Sequence, residues 1–223
     1  MGEYKRISVN GLELNCYCGG CGRPVVLVHG NGESHQSFSV LIGQLEEAGY
    51  SVIAPDSRGH GGSDHADEYH YADMAEDIFQ LITVLELEKP ALYGFSDGGI
   101  IGLTLELAHP GTLSLLAVSG TNLSPGGLTD EFMASIDGID DPLCELMRSE
   151  PDIDPEALAG IQIPVLVTAG EFDVVRPEET ELILSKLPYA EDYFAEGEDH
   201  GSYIENNPFI GELLLEFFRE HNY

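Results

Sequence analysis

A chain of 223 residues is long enough for one hydrophobic core and short for two full domains. With 43% hydrophobic and 22% charged residues it reads as an ordinary globular protein. Forty acidic residues against nine basic ones give a net charge of −31, which argues against nucleic acid and against anionic membrane surfaces as partners.

Residues 4–9, 12–18 and 25–29 read as strands, the first two separated by the turn dipeptide Asn10-Gly11. Cys16, Cys18 and Cys21 crowd what looks like a hairpin between the second and third strands. A structural zinc site wants four ligands and the obvious fourth is missing, so these thiols and the distant Cys144 are expected to be free, with no metal bound. The third strand runs into His29-Gly30-Asn31-Gly32. A helix is expected over 37–48 and a buried strand over 51–54, followed by the polar turn Asp56 to Ser63. Residues 72–87 carry apolar side chains at 75, 78, 79, 82 and 85, the spacing of one helix face.

The apolar run 90–93 leads into Gly94-Phe95-Ser96-Asp97-Gly98-Gly99 and then into the helix-like run 100–109. A Gly-x-Ser-x-Gly match between strand and helix is the setting of a nucleophile elbow, in which a tight turn lifts the serine hydroxyl off the sheet. A serine needs a base and an orienting acid, and on this architecture they follow in the order acid, then histidine. The strand 163–168 ends in Ala169-Gly170-Glu171-Phe172-Asp173. The strand 190–195 runs into Gly197-Glu198-Asp199-His200-Gly201, expected as a loop. Both polar groups thus lie at carboxyl ends of strands, where open α/β sheets hold their sites. Ser96 is the candidate nucleophile, His200 the base and Asp173 the acid, with Glu171 as substitute acid. His65, His70, His109 and His221 do not follow a late strand.

Further strands and helices are expected over 113–119, from Pro177, and over 208–219. Alternating strands and helices imply an α/β protein with a mostly parallel sheet flanked by helices on both sides. The segment 121–162 interrupts the alternation. It holds two possible short helices, 129–136 and 142–149, and a helix start at Asp154-Pro155.

These motifs, in this order, resemble the serine α/β-hydrolase superfamily over nearly the whole chain, and the elbow text is similar to that of its biphenyl-hydrolase-like and small bacterial esterase branch. The resemblance implies an α/β-hydrolase fold, with 1–120 and 163–223 as core and 121–162 as a short cap insert. It implies hydrolysis of carboxylic esters or related acyl compounds through an acyl-enzyme, without metal or organic cofactor. It also puts the oxyanion hole at the backbone N–H groups of Asp97 and Asn31. Phe132, Met133, Leu143 and Met147 are then candidates to line a small roof over Ser96. In the biphenyl-hydrolase-like relatives a carboxylate at the position of Asp97 suggests recognition of a substrate amine, so the expected partner is a small acyl compound, neutral or amine-bearing. A carbon–carbon bond hydrolase with the same triad and a non-catalytic receptor on the same fold are the alternatives. Aspartate-nucleophile relatives are disfavoured because the elbow carries Ser96. No signal-peptide pattern or membrane-length apolar stretch is legible, so a cytoplasmic protein is expected.

Overall fold

The computed structural model describes residues 2–223. Strand β1 (Glu3–Val9) turns back on β2 (Leu12–Gly20) through Asn10 and Gly11, both at positive φ (48° and 80°), as a two-residue hairpin demands. β2 is antiparallel to β4 (Ser51–Pro55). β3 (Pro24–Val28), β5 (Ala91–Phe95), β6 (Leu115–Ser119), β7 (Val165–Phe172) and β8 (Ala190–Asp199) continue the sheet in parallel, in the order β1-β2-β4-β3-β5-β6-β7-β8.

Central strands are buried on both faces, so adjacent side chains serve different cores. Val26 and Val28 pack beneath α2 (Tyr71–Val84) and α3 (Asp97–Ala108), with α6 (Pro177–Lys186) further along that face. Val25 and Leu27 meet Leu41 and Leu45 of α1 (Ser39–Glu47) and Leu214 and Phe217 of α7 (Pro208–Glu220) on the other. This is the α/β-hydrolase architecture: a mostly parallel sheet between two helical layers.

Three local expectations need correction. Cys16 and Cys18 lie within β2, and β2 forms no hairpin with β3. Gly20 and Gly22 take positive φ (69° and 109°), and β4 lies between the two strands. The expected helix 37–48 is α1 from Ser39 to Glu47, and its first two positions belong to a preceding 3-10 turn, His35–Phe38, capped by Ser34. β8 extends to Asp199 because pairing with β7 resumes past a bulge (Phe172 opposite Asp199), so residues 196–199 are strand and not loop.

Between β6 and β7, residues 121–162 form a 3-10 turn (Pro125–Gly127), α4 (Asp130–Ile136), α5 (Pro142–Ser149) and a second 3-10 turn (Pro155–Gly160). Thr129, Asp141 and Asp154 cap the last three by accepting from backbone N–H groups. Of these three caps the sequence indicates Asp154; Thr129 and Asp141 emerge from the structure.

Candidate active site

Ser96 stands between β5 and α3 at φ 55° and ψ −117°, a left-handed conformation that a residue with a side chain holds only when its surroundings over-determine it. Two glycines supply that constraint. A Cβ on Gly94 would lie 2.1 Å from the Gly98 carbonyl oxygen, and one on Gly98 would lie 1.9 Å from that of Val28. Only bare backbone lets β5, α3 and β3 approach this closely. The Ser96 N–H donates to the Ser119 carbonyl at 2.8 Å, which suspends the turn from β6.

His200, just past the end of β8, brings Nε2 to 3.0 Å from Ser96 Oγ, and its Nδ1 lies 2.6 Å from Asp173 Oδ1. The Asp173 side chain is 3% exposed and also accepts from the N–H groups of Gly170 and Val175. An ionised carboxylate at Nδ1 requires a proton there, so the Nε2 lone pair faces the serine hydroxyl. Glu171 is exposed and accepts from the Gly197 N–H instead. Gly120, at φ 57°, backs the imidazole: a Cβ there would lie 2.6 Å from His200 Cε1.

The loop after β3 lies against this group. Buried His29 accepts from the Ser57 N–H at Nε2 and approaches the Gly30 carbonyl through Nδ1. Burial, helped by the neighbouring His60, pushes its pKa down to about 4, so it braces the loop as a neutral ring. The Gly30 N–H is taken up by Glu33. The Asn31 side-chain amide donates to Asp97 Oδ2 at 2.9 Å and to the Leu143 carbonyl at 3.2 Å, tying loop, elbow and α5 together. Asp97 is 5% exposed, and its other oxygen accepts from the Tyr71 hydroxyl at 2.8 Å. Burial raises the Asp97 pKa, against the opposing effect of these two donors.

Asp56 organises the polar turn 56–63. It accepts from Asn15 Nδ2, the Gly62 N–H, and both the N–H and the ring of His35. Burial opposes ionisation, yet these hydrogen bonds win and hold the carboxyl below its ordinary pKa. Arg58 turns away to pair with Asp77 on α2.

A narrow crevice of ≈ 10 Å³ opens beside Ser96 and Asp97, walled by Tyr71, Asn122, Phe132 and Met147 among others, with Glu150 at the end of α5. Met133 and Leu143, expected with Phe132 and Met147, are not among its walls. Met133 is a quarter-turn or so past Phe132 on α4, and Leu143 packs onto the main core. Tyr71, Asn122 and Glu150 are wall residues that sequence reasoning missed. The Tyr71 N–H bonds Glu150, a contact between segments far apart in the chain. Gly120 had a faint signal, a glycine directly after a strand.

All four cysteines are free, and among the described residues no group of three or more His, Cys, Asp or Glu could hold a metal ion. Among them, too, no helix is long and apolar enough to cross a membrane.

Comparison with known proteins places the chain. The family model for the alpha/beta hydrolase fold matches residues 23–143. The human serine hydrolase BPHL is 31% identical over 144 residues, which covers 61% of this chain and 48% of that one. An esterase (EaEST) from Exiguobacterium antarcticum superposes with a TM-score of 0.84 at 23% identity, covering 98% of this chain and all of the other (100%). A meta-cleavage product hydrolase from Pseudomonas fluorescens gives 0.82 at 21% identity, covering 97% of each chain. At such identities the solved structures speak to the fold alone. The aligned stretches span 29–65% of the length of the curated relatives. Motifs, sheet order and family model agree: the chain belongs to the α/β-hydrolase fold family.

Proposed function

We propose that the chain is a serine hydrolase, cleaving carboxylic esters or related acyl compounds through an acyl-enzyme on Ser96 without a cofactor. The observation that carries this reading is the unbroken line from Ser96 Oγ through His200 to Asp173, at 3.0 and 2.6 Å. Asp173 holds the proton on Nδ1, so Nε2 takes the serine proton as Oγ attacks the substrate carbonyl carbon. The resulting oxyanion meets the backbone N–H of Asp97. As the first residue of α3, Asp97 has no intrahelical acceptor for that group. With the Gly30 amide occupied by Glu33, the second donor is the next amide in the loop, that of Asn31. His200 then passes its proton to the leaving alcohol. Water attacks the acyl-enzyme by the same route in reverse.

Residues 121–162 act in this reading as a short cap over a core formed by 1–120 and 163–223. The crevice under it, at ≈ 10 Å³, is far below the ~300–1,000 Å³ of common ligand pockets, which favours short acyl groups. Carboxyl groups of Asp97 and Glu150 on its wall favour neutral or amine-bearing substrates over anionic ones. Four free thiols suit a cytoplasmic setting.

The test is labelling by a fluorophosphonate, wild type beside Ser96→Ala, followed by a panel of acyl esters, amino-acid esters and vinylogous diketones. Labelling lost in Ser96→Ala, with turnover of esters, supports the proposal. Labelling independent of Ser96 overturns it, and turnover of diketones alone moves the assignment to carbon–carbon bond hydrolysis.

A further inference from the structure

Four buried hydroxyls run in a line beneath the site, and the chemistry above uses none of them. Tyr93 Oη donates to Ser119 Oγ at 3.1 Å, Ser119 Oγ lies 2.6 Å from Thr168 Oγ1, and Thr168 Oγ1 lies 3.1 Å from Tyr203 Oη. Their residues are 0, 0, 2 and 1% exposed. Burial raises the pKa of both phenols, so they remain protonated donors across the working range of pH.

The four come from the segments that carry the reacting groups. Tyr93 is on β5, which leads into Ser96. Ser119 ends β6, and the Gly120 that follows it backs the His200 ring. Thr168 is on β7, which leads to Asp173, and Tyr203 lies just after His200. Two backbone bonds run alongside: Ser96 N–H to the Ser119 carbonyl at 2.8 Å, and Gly120 N–H to the Thr168 carbonyl at 2.9 Å. A hydroxyl has one hydrogen to give, so each of the four can donate to only one partner and the three bonds constrain one another. Breaking one member leaves a neighbour unpaired where no water reaches it.

The turn that bears His200 is otherwise held mostly by itself. Asp199 accepts from Gly201 and Ser202, Ile204 N–H reaches the Gly201 carbonyl, and Asn207 reaches the Ser202 carbonyl. Asn206 bonds Ser37 and Ser39, well outside the sheet. Ile204 packs into the core, and Tyr203 is the residue after His200 in this turn whose side chain hydrogen-bonds inward, to the strand beside the one that holds Ser96 in place.

We propose that Tyr203, acting through Thr168 and Ser119, is a positioning residue that sets the distance and tilt of His200 relative to Ser96. This rests on the reading of Ser96 and His200 as nucleophile and base. A proton transfer over 3.0 Å tolerates little displacement, since errors near 1 Å cost rate on the order of a hundredfold.

The experiment compares wild type with Tyr203→Phe, Thr168→Val and Thr168→Ser, each assayed well below its own unfolding midpoint. Three quantities are read: kcat and KM on a short acyl ester, the rate of fluorophosphonate labelling, and the low-field proton NMR resonance of His200 Nδ1–H. Tyr203→Phe and Thr168→Val are each expected to lower kcat and labelling by about 10–100-fold with KM within about twofold, and to shift or broaden the resonance. A double variant carrying Tyr203→Phe and Thr168→Val should be no worse than the poorer single one, and Thr168→Ser should recover most of the rate. Lowered midpoints with kcat, labelling and resonance as in wild type would overturn the proposal and reduce the line to a stabilising network. The resonance needs no substrate. A wild type that shows it but is not labelled at Ser96 defeats the hydrolase reading, while the positioning role is still decided by the resonance in the variants.

Discussion

The Asn31 side-chain amide donates to the Asp97 carboxylate at 2.9 Å, which ties together the two residues whose backbone amides are proposed to receive an oxyanion. The other Asp97 oxygen takes the Tyr71 hydroxyl, so both partners are neutral. Among the described residues no lysine or arginine pairs with Asp97. A buried carboxylate without a cation, on the wall of the crevice, is where the proposed amine-bearing substrate would pair its ammonium group. Asp97→Asn should therefore lower kcat/KM on amino-acid esters relative to plain esters by about tenfold, the scale of one hydrogen bond to a charged group. An unchanged ratio would remove amine recognition from the proposal.

The line through Ser96, His200 and Asp173 sets a sharp order of effects. Ser96→Ala and His200→Ala should each cost about 10⁴–10⁶-fold in kcat, and the pair together hardly more, because the groups act as a unit. Asp173→Asn should cost about 10⁴-fold while the fold is kept. Glu171→Gln should stay within about twofold of wild type, since Glu171 bonds Gly197 and not the imidazole. A larger loss in Glu171→Gln than in Asp173→Asn would exchange their roles.

Much of this site was legible because the decisive chemistry is local. Gly94, Ser96 and Gly98 mark a turn that only glycines permit, and the positions of Asp173 and His200 after late strands follow from chain order. Asp154 gave the start of the last short segment before β7, because a capping side chain bonds a backbone only two residues on. What escaped was non-local. Tyr71 opens α2 and Glu150 ends α5, and only tertiary packing brings them together beside Ser96. The rotation of α4 and α5 about their axes, which puts Phe132 and Met147 on the crevice and leaves Met133 and Leu143 off it, is set by the surface they land on. Pairing of β8 with β7 beyond the bulge likewise depends on the neighbour strand, not on residues 196–199 themselves.

Met147 and Phe132 close the crevice from above, so they should limit acyl length. Met147→Ala should raise the ratio of hexanoate to acetate ester turnover by about tenfold or more, as a pocket discriminates each methylene by 10–200-fold. Its cost in stability should fall below the ~2–5 kcal/mol of a fully buried methionine, because this one is only half-buried. Met133→Ala, off the crevice wall, should leave the chain-length profile as it is. Equal profiles for both variants would show that the roof does not gate the acyl group.

Glu33 gives the molecule a pH dependence of its own. Burial pushes its carboxyl from 4.5 up to about 7; the Gly30 N–H opposes this, and the nearby Glu205 carboxylate adds to it. The unfolded chain releases that proton near 4.5, so through the window from 4.5 to about 7 the folded state binds more protons and stability falls as pH rises. Glu33→Gln keeps an oxygen for the Gly30 N–H and removes the charge. At pH 8 it should be more stable than wild type by about 1–2 kcal/mol, a figure reduced for solvent screening of a half-buried group. Near pH 4, where Glu33 is neutral in both states, the difference should vanish. Urea unfolding at the two pH values measures this directly, and a gain of equal size at both would mean that the substitution acts through packing and not through the proton.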